Sequence, residues 1–88
     1  MKVKVLGSGC ESCQRMLADV TETIQKNGWE NVDVEYVQDL ARIATYGVMS
    51  TPALVIGEKV VLTGYRGINK IEQVLQEAFA LQPPEFEA

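Results

Sequence analysis

At 88 residues, the chain is long enough for one small domain and too short for two. Its 47% apolar and 23% charged residues are ordinary for a globular protein, and two cysteines cannot form a multi-bridge framework. A net charge of −4 with basic residues scattered singly leaves no stripe to neutralise phosphates, so nucleic acid is excluded as a partner; the lack of histidine rules out a Cys-His dyad and mixed Cys/His zinc sites.

Lys2 to Leu6 alternates polar and apolar and stops at Gly7-Ser8-Gly9, which predicts a strand ending in a turn. From Glu11 to Lys26 the spacing becomes helical, with Cys13, Leu17, Val20 and Ile24 in one row, Met16 beside it, and Asn27-Gly28 closing the helix. Val32, Val34 and Tyr36 alternate with polar residues as a second strand. Asp39 to Tyr46 reads as a short helix with Leu40, Ile43 and Ala44 on one side. Val48 to Pro52 connects to two β-branched runs, Ala53–Ile56 and Lys59–Leu62, which flank Gly57-Glu58 as an antiparallel hairpin. Gly64 to Gly67 turns the chain, and Ile68, Ile71, Val74, Leu75, Ala78 and Phe79 mark a last amphipathic helix. Pro83 and Pro84 cannot continue it, so residues 1–81 are expected as one domain and 82–88 as a frayed tail.

The order is β-α-β-α-β-β-α. A strand-helix-strand start favours a parallel pair joined by a right-handed crossover, and the hairpin adds antiparallel strands. The expected class is α/β, a mixed four-stranded sheet sandwiched by three helices. The N-terminal apolar run breaks at Gly7 and has no signal-peptide h-region, and no stretch approaches the ~18–20 apolar residues of a membrane span. The expectation is a cytoplasmic protein with no membrane partner, where a Cys-x-x-Cys pair is more often catalytic or metal-binding than a structural disulfide.

Both cysteines lie in Gly7-Ser8-Gly9-Cys10-Glu11-Ser12-Cys13, where the first strand hands over to the first helix. Cys10 falls at the helix start, where unpaired N–H groups and the positive end of the dipole favour thiolate. A thiol of pKa ~8.5 is about 3% ionised at pH 7, and one lowered to ~7 is half ionised. Cys13 follows one turn later at the head of the apolar row and is expected to be less exposed. An exposed thiolate that opens a disulfide, with a protected thiol to resolve the mixed disulfide, suits exchange chemistry. Gly7 and Gly9 are expected to keep the approach free of side chains. Two buried thiols acting as small hydrophobes remain the bland alternative.

Taken locally, Pro52 is an ordinary strand-initial proline. Yet Cys-x-x-Cys after the first strand, Thr51-Pro52 before a hairpin and Gly64 after it recur in this order in the thioredoxin superfamily. Over residues 1 to 81 the chain resembles its short, glutaredoxin-sized branch, the small redox-active disulfide proteins. The resemblance implies a thioredoxin-like fold and a thiol-disulfide oxidoreductase, with Cys10 as nucleophile and Cys13 as resolving thiol. It implies a cis Thr51–Pro52 peptide whose threonine backbone pairs with an extended substrate. It places Gly64 beside the same groove, although a plain turn glycine reads equally well. No cofactor and no metal is implied. The implied partners are a protein disulfide substrate and an upstream disulfide reductase, with the chain acting in electron transport as a monomer and as a reductant.

The chain departs from typical thioredoxins in several places. Gly9 stands where they carry tryptophan, and the only Trp is the distant Trp29. Lys4 falls about where they bury a carboxylate that helps deprotonate the resolving thiol, so another group or water has to move that proton. Glu-Ser separates the cysteines in place of Gly-Pro. Glu11 opposes thiolate formation at Cys10 or serves as a first-turn acid on the helix dipole. The glycine-glycine-acid segment that holds glutathione is missing. Two rival readings remain. One is a copper or soft-metal carrier using both thiolates, whose Gly-x-x-Cys-x-x-Cys loop fits but whose second half does not. The other is a non-catalytic interaction domain presenting Tyr46, Met49, Tyr65 and Phe86, with Met49 expected as packing and Tyr65 as a lid on the core.

Overall fold

A computed structural model describes residues 2–29 and 31–81. The expected tail over 82–88, with Phe86, lies outside them. Seven elements follow in the expected order: β1 (Lys2–Leu6), α1 (Glu11–Lys26), β2 (Asp33–Val37), α2 (Leu40–Thr45), β3 (Ala53–Ile56), β4 (Lys59–Thr63) and α3 (Ile68–Leu81).

The strands form one sheet of order β2-β1-β3-β4. β1 and β2 run parallel, which the intervening α1 crossover permits, while β3 is antiparallel to both β1 and β4. The inner strands are buried on both faces. This is why Ala53-Leu54-Val55-Ile56 reads as an unbroken apolar run instead of alternating. The outer strands carry Asp33, Glu35 and Lys59, charges that discourage edge-to-edge pairing. A register shift between Leu54 and Val55 leaves Val61 as the extra residue of a bulge in β4.

Because side chains alternate along a strand, the sheet divides its apolar residues between two cores. Val3, Val5, Leu54, Ile56 and Leu62 face α1 and α3, where Met16, Val20, Ile24, Ile71, Leu75 and Phe79 complete the larger cluster. Leu6, Val37, Ala53 and Val55 face α2 and meet Ile43. Trp29 closes the far end of the large core, edge-on to Phe79 with ring centroids 4.5 Å apart.

In α2 the structure differs from the amphipathic reading. Ile43 is buried, but Leu40 is 70% exposed and Ala44 is also exposed. Asp39 caps this six-residue helix, its carboxylate accepting the Ala41 N–H at 3.0 Å. Leu40 therefore sits in the first turn, where the chain has just left the end of the sheet, and only the following turn lies over it.

Candidate active site

The strand register gathers the candidate residues at one end of the sheet. Leu6 pairs with Val37 on one side and with Ala53 on the other, and Ala53 pairs with Thr63. The segments after β1, after β2, before β3 and after β4 all emerge there. They carry Cys10, Gln38, Thr51-Pro52 and Gly64, at the carboxyl ends of the parallel strands where α/β sheets place ligands.

Cys10 is the N-cap of α1, with extended backbone (φ −71°, ψ 169°) and an exposed side chain. Its Sγ lies 3.4 Å from the Cys13 backbone N–H, which donates to it, so a sulfur performs the capping usually done by Ser, Thr or Asp. Its carbonyl takes the Gln14 N–H at 3.0 Å, the first bond of the helix. One side chain thus has access to solvent, an amide partner and the positive end of a 16-residue helix. Glu11 is well exposed and reaches Arg15 at 3.9 Å one turn on, the arrangement of a first-turn acid.

Cys13 is fully buried. The reason lies in Gly7: a Cβ there would stand 2.5 Å from the Cys13 Sγ and 2.7 Å from its Cβ. The sulfur occupies the space that any other residue would fill. Gly7 is itself buried, which corrects the expectation that it holds a path open to a partner; its glycine makes room for Cys13 from within. Burial pushes the Cys13 thiol up, but the hydrogen bond with Cys10 and the amides of Cys10, Ser8 and Gly9 outweigh it and bring the thiol below its usual value. Of the two sulfurs, only that of Cys10 is exposed to meet a substrate.

Thr51 is exposed and Pro52 buried, and the peptide between them is cis. The Gly64 N–H donates to the Pro52 carbonyl at 2.7 Å, tying the end of β4 to the start of β3. Gly64 has φ +80°, and a Cβ placed on it would meet nothing within 4 Å. Backbone conformation therefore accounts for this glycine inside the chain, as the turn reading has it.

Lys4 is 7% exposed, and alternation in β1 points it to the α2 face, away from Cys13. Its Nζ donates to the Tyr46 hydroxyl at 2.7 Å and to Glu58 at 3.2 Å, and those two bonds, Tyr46 first, raise its pKa. Lys4 thus replaces a carboxylate in sequence without taking its place beside the sulfur.

Beside the sulfur stands a residue that sequence reasoning used only as a strand marker. Tyr36 on β2 pairs in register with Val5 and so shares the α1 face. Its Cε1 lies 3.5 Å from the same Gly7 Cβ position that Cys13 crowds. Its hydroxyl is buried without a partner of hydrogen-bonding geometry, its polar neighbours being Cys13 and the Gly9 amide. Nothing along the chain signals this contact, which arises from the parallel register of two strands. Of the other residues singled out, Met49 is 99% exposed and packs against nothing, contrary to expectation. Tyr65 rests on the large core as expected and donates its hydroxyl to Asp19 at 2.5 Å.

A mixed sheet of this order, covered by α1 and α3 on one face and α2 on the other, with a cysteine pair at the first helix start, defines a thioredoxin-like domain. A family model described as a thioredoxin domain matches residues 1–76, and the chain belongs to that family, with the thioredoxin-like redox role it carries. Among solved structures, thioredoxin 1 from the thermophilic eubacterium Thermosipho africanus is similar in fold, with a TM-score of 0.69 and 16% identity over 92% of this chain and 97% of that one. No curated protein sequence matches. Among the described residues no helix is long and apolar enough to cross a membrane.

Proposed function

We propose that the protein is a thiol-disulfide oxidoreductase acting on protein disulfides through Cys10 and Cys13, and that it works as a reductant. The observation that carries this reading is the asymmetry of the pair: Cys10 is exposed at the helix N-cap, and Cys13 is sealed into the recess at Gly7. The Cys10 thiolate attacks a substrate disulfide, forming a Cys10–substrate bond and releasing the first substrate sulfur as thiolate. The Cys13 thiolate then attacks the Cys10 sulfur, closing the Cys10–Cys13 disulfide and releasing the second. Two electrons pass to the substrate, and the released thiolates take their protons from solvent. An upstream disulfide reductase returns the pair to dithiol, in a reducing cytoplasm.

Thr51, exposed at the same sheet end, offers its backbone to an extended substrate segment as a short added strand, with Pro52 and Gly64 forming the wall beside it. A soft-metal carrier needs both sulfurs presented together, whereas burial of Cys13 favours sequential use of the two.

The test is capture. Cys13→Ser should hold protein substrates as mixed disulfides through Cys10, while the wild type releases them and accumulates one internal disulfide. Equal, slow reaction of both sulfurs with an alkylating probe, together with no captured protein, would sink the reading. Tight copper(I) binding that survives glutathione competition would replace it with the carrier.

A further inference from the structure

Resolution needs charge on a sulfur that has no access to water. If the exchange reading above holds, some group inside the protein must meet the Cys13 thiolate. The loop amides of Ser8, Gly9 and Cys10 do part of this. The carboxylate expected by resemblance is replaced by Lys4, and Lys4 faces the other side of the sheet, engaged with Tyr46 and Glu58.

Tyr36 is on the correct side. Its ring and the Cys13 sulfur both approach the same point, the missing Cβ of Gly7, at 3.5 Å and 2.5 Å. Its hydroxyl is buried and unpaired, a condition that folded proteins rarely leave unexplained. We infer that Tyr36 serves the resolving step, its hydroxyl donating a hydrogen bond to the Cys13 sulfur whenever that sulfur carries charge.

The titratable groups acting on Tyr36 are Cys13 from α1 and Cys10 from the loop, and the one acting on Cys13 is Cys10; Val5 of β1 and Gly7 just after it carry no titratable group. Burial first, and the Cys13 charge second, hold the phenol above its usual pKa. At neutral pH it therefore keeps its proton and acts as a donor, never as the base. As the Cys13 thiolate attacks Cys10, its charge passes to the departing substrate sulfur and the hydrogen bond relaxes, with the phenol proton staying on oxygen. In the reverse direction an incoming thiolate attacks Cys10, Cys13 leaves as thiolate, and the same hydrogen bond receives it. In the resolving direction the donor acts by raising the fraction of Cys13 present as thiolate below its midpoint; in the reverse direction it strengthens as charge develops on the departing Cys13 and lowers that barrier.

The experiment uses the reduced full chain and the disulfide of 5-thio-2-nitrobenzoate as probe. Attack by Cys10 releases one coloured thiolate, and resolution by Cys13 releases a second. In wild type two phases are expected. In Tyr36→Phe the pH midpoint of the second phase should rise by about one unit; the thiolate fraction then falls about tenfold below both midpoints and resolution slows about threefold, since a more basic thiolate is also more nucleophilic. Superimposed second-phase profiles overturn the role of Tyr36 and leave exchange standing. A wild type that releases no thiolate, or releases one and closes no internal disulfide, overturns the exchange reading itself. A second measurement needs no Tyr36 variant to fold. With tyrosine labelled at 13Cζ, the Tyr36 resonance of the wild type should move with the Cys13 titration and lose that transition in Cys13→Ala. A Tyr36 signal indifferent to Cys13 overturns the inference.

Discussion

The two faces of the sheet bury different material. Among the described residues, Val3, Val5, Leu54, Ile56 and Leu62 of the sheet meet six buried apolar residues on α1 and α3, helices of 16 and 14 residues. Under α2 lie Leu6, Val37, Ala53 and Val55, met by Ile43 of a six-residue helix, and beside them Lys4 is buried along its stem while its ammonium reaches Tyr46 and Glu58 at the rim. The first face can keep water away from a sulfur, and Cys13 and Tyr36 are both found there. The second tolerates polar groups and leaves Leu40 and Met49 uncovered. Stability and the buried half of the chemistry thus share one core, with α2 completing the fold from the other side.

Removing apolar volume from each face tests this contrast most strongly. Leu75→Ala should cost about 3–5 kcal/mol, the upper part of the range for buried leucine, because the long α3 that carries it, packed on α1 and the sheet, cannot collapse into the gap. Ile43→Ala should cost about 2 kcal/mol, since a short helix can settle onto the sheet. For a domain whose whole stability is about 5–15 kcal/mol, the difference is readily seen in urea unfolding. Equal losses would break the comparison.

Gly7→Ala has the next largest effect and probes where the two halves of the site meet. The new methyl would stand 2.5 Å from the Cys13 sulfur, so the start of α1 must shift. Overpacking of this kind should cost about 1–3 kcal/mol, and the displaced Cys13 should become open to alkylation. A variant of unchanged stability with Cys13 still protected would refute the recess.

The smallest effect is expected on the polar face. The folded pKa of Lys4 is raised by its bonds to Tyr46 and Glu58, so its contribution is complete below the unfolded value of ~10.4 and fades as pH climbs through the folded one. Lys4→Met should therefore flatten the decline of stability between about pH 10 and 12, with little change near neutrality. A decline identical to that of the wild type would remove Lys4 from the account.

Much of this was legible along the chain. β1, α1 and β3 have the ends that their periodicity and turn residues predict, because local propensity and burial agree there. The asymmetry of Cys10 and Cys13 was legible too, since helix spacing alone puts one at the cap and the other at the head of the apolar row. Leu40 was misread because periodicity counts residues on a face and says nothing about whether the sheet extends beneath them. Met49 was misread because a connection carries no period at all. The roles of Gly7, Lys4 and Tyr36 were not legible, as each depends on a neighbour brought in from another strand or helix.

The one-dimensional pattern determined which segments are strands and helices and put a cysteine at a helix start, because those are consequences of spacing within a few residues. The packed sheet alone decided that Lys4 turns from the sulfurs, that Gly7 holds the space Cys13 fills, and that Tyr36 stands beside it. Register between β1 and β2 pairs residues 31 positions apart, Val5 with Tyr36, and no local preference carries information over that distance.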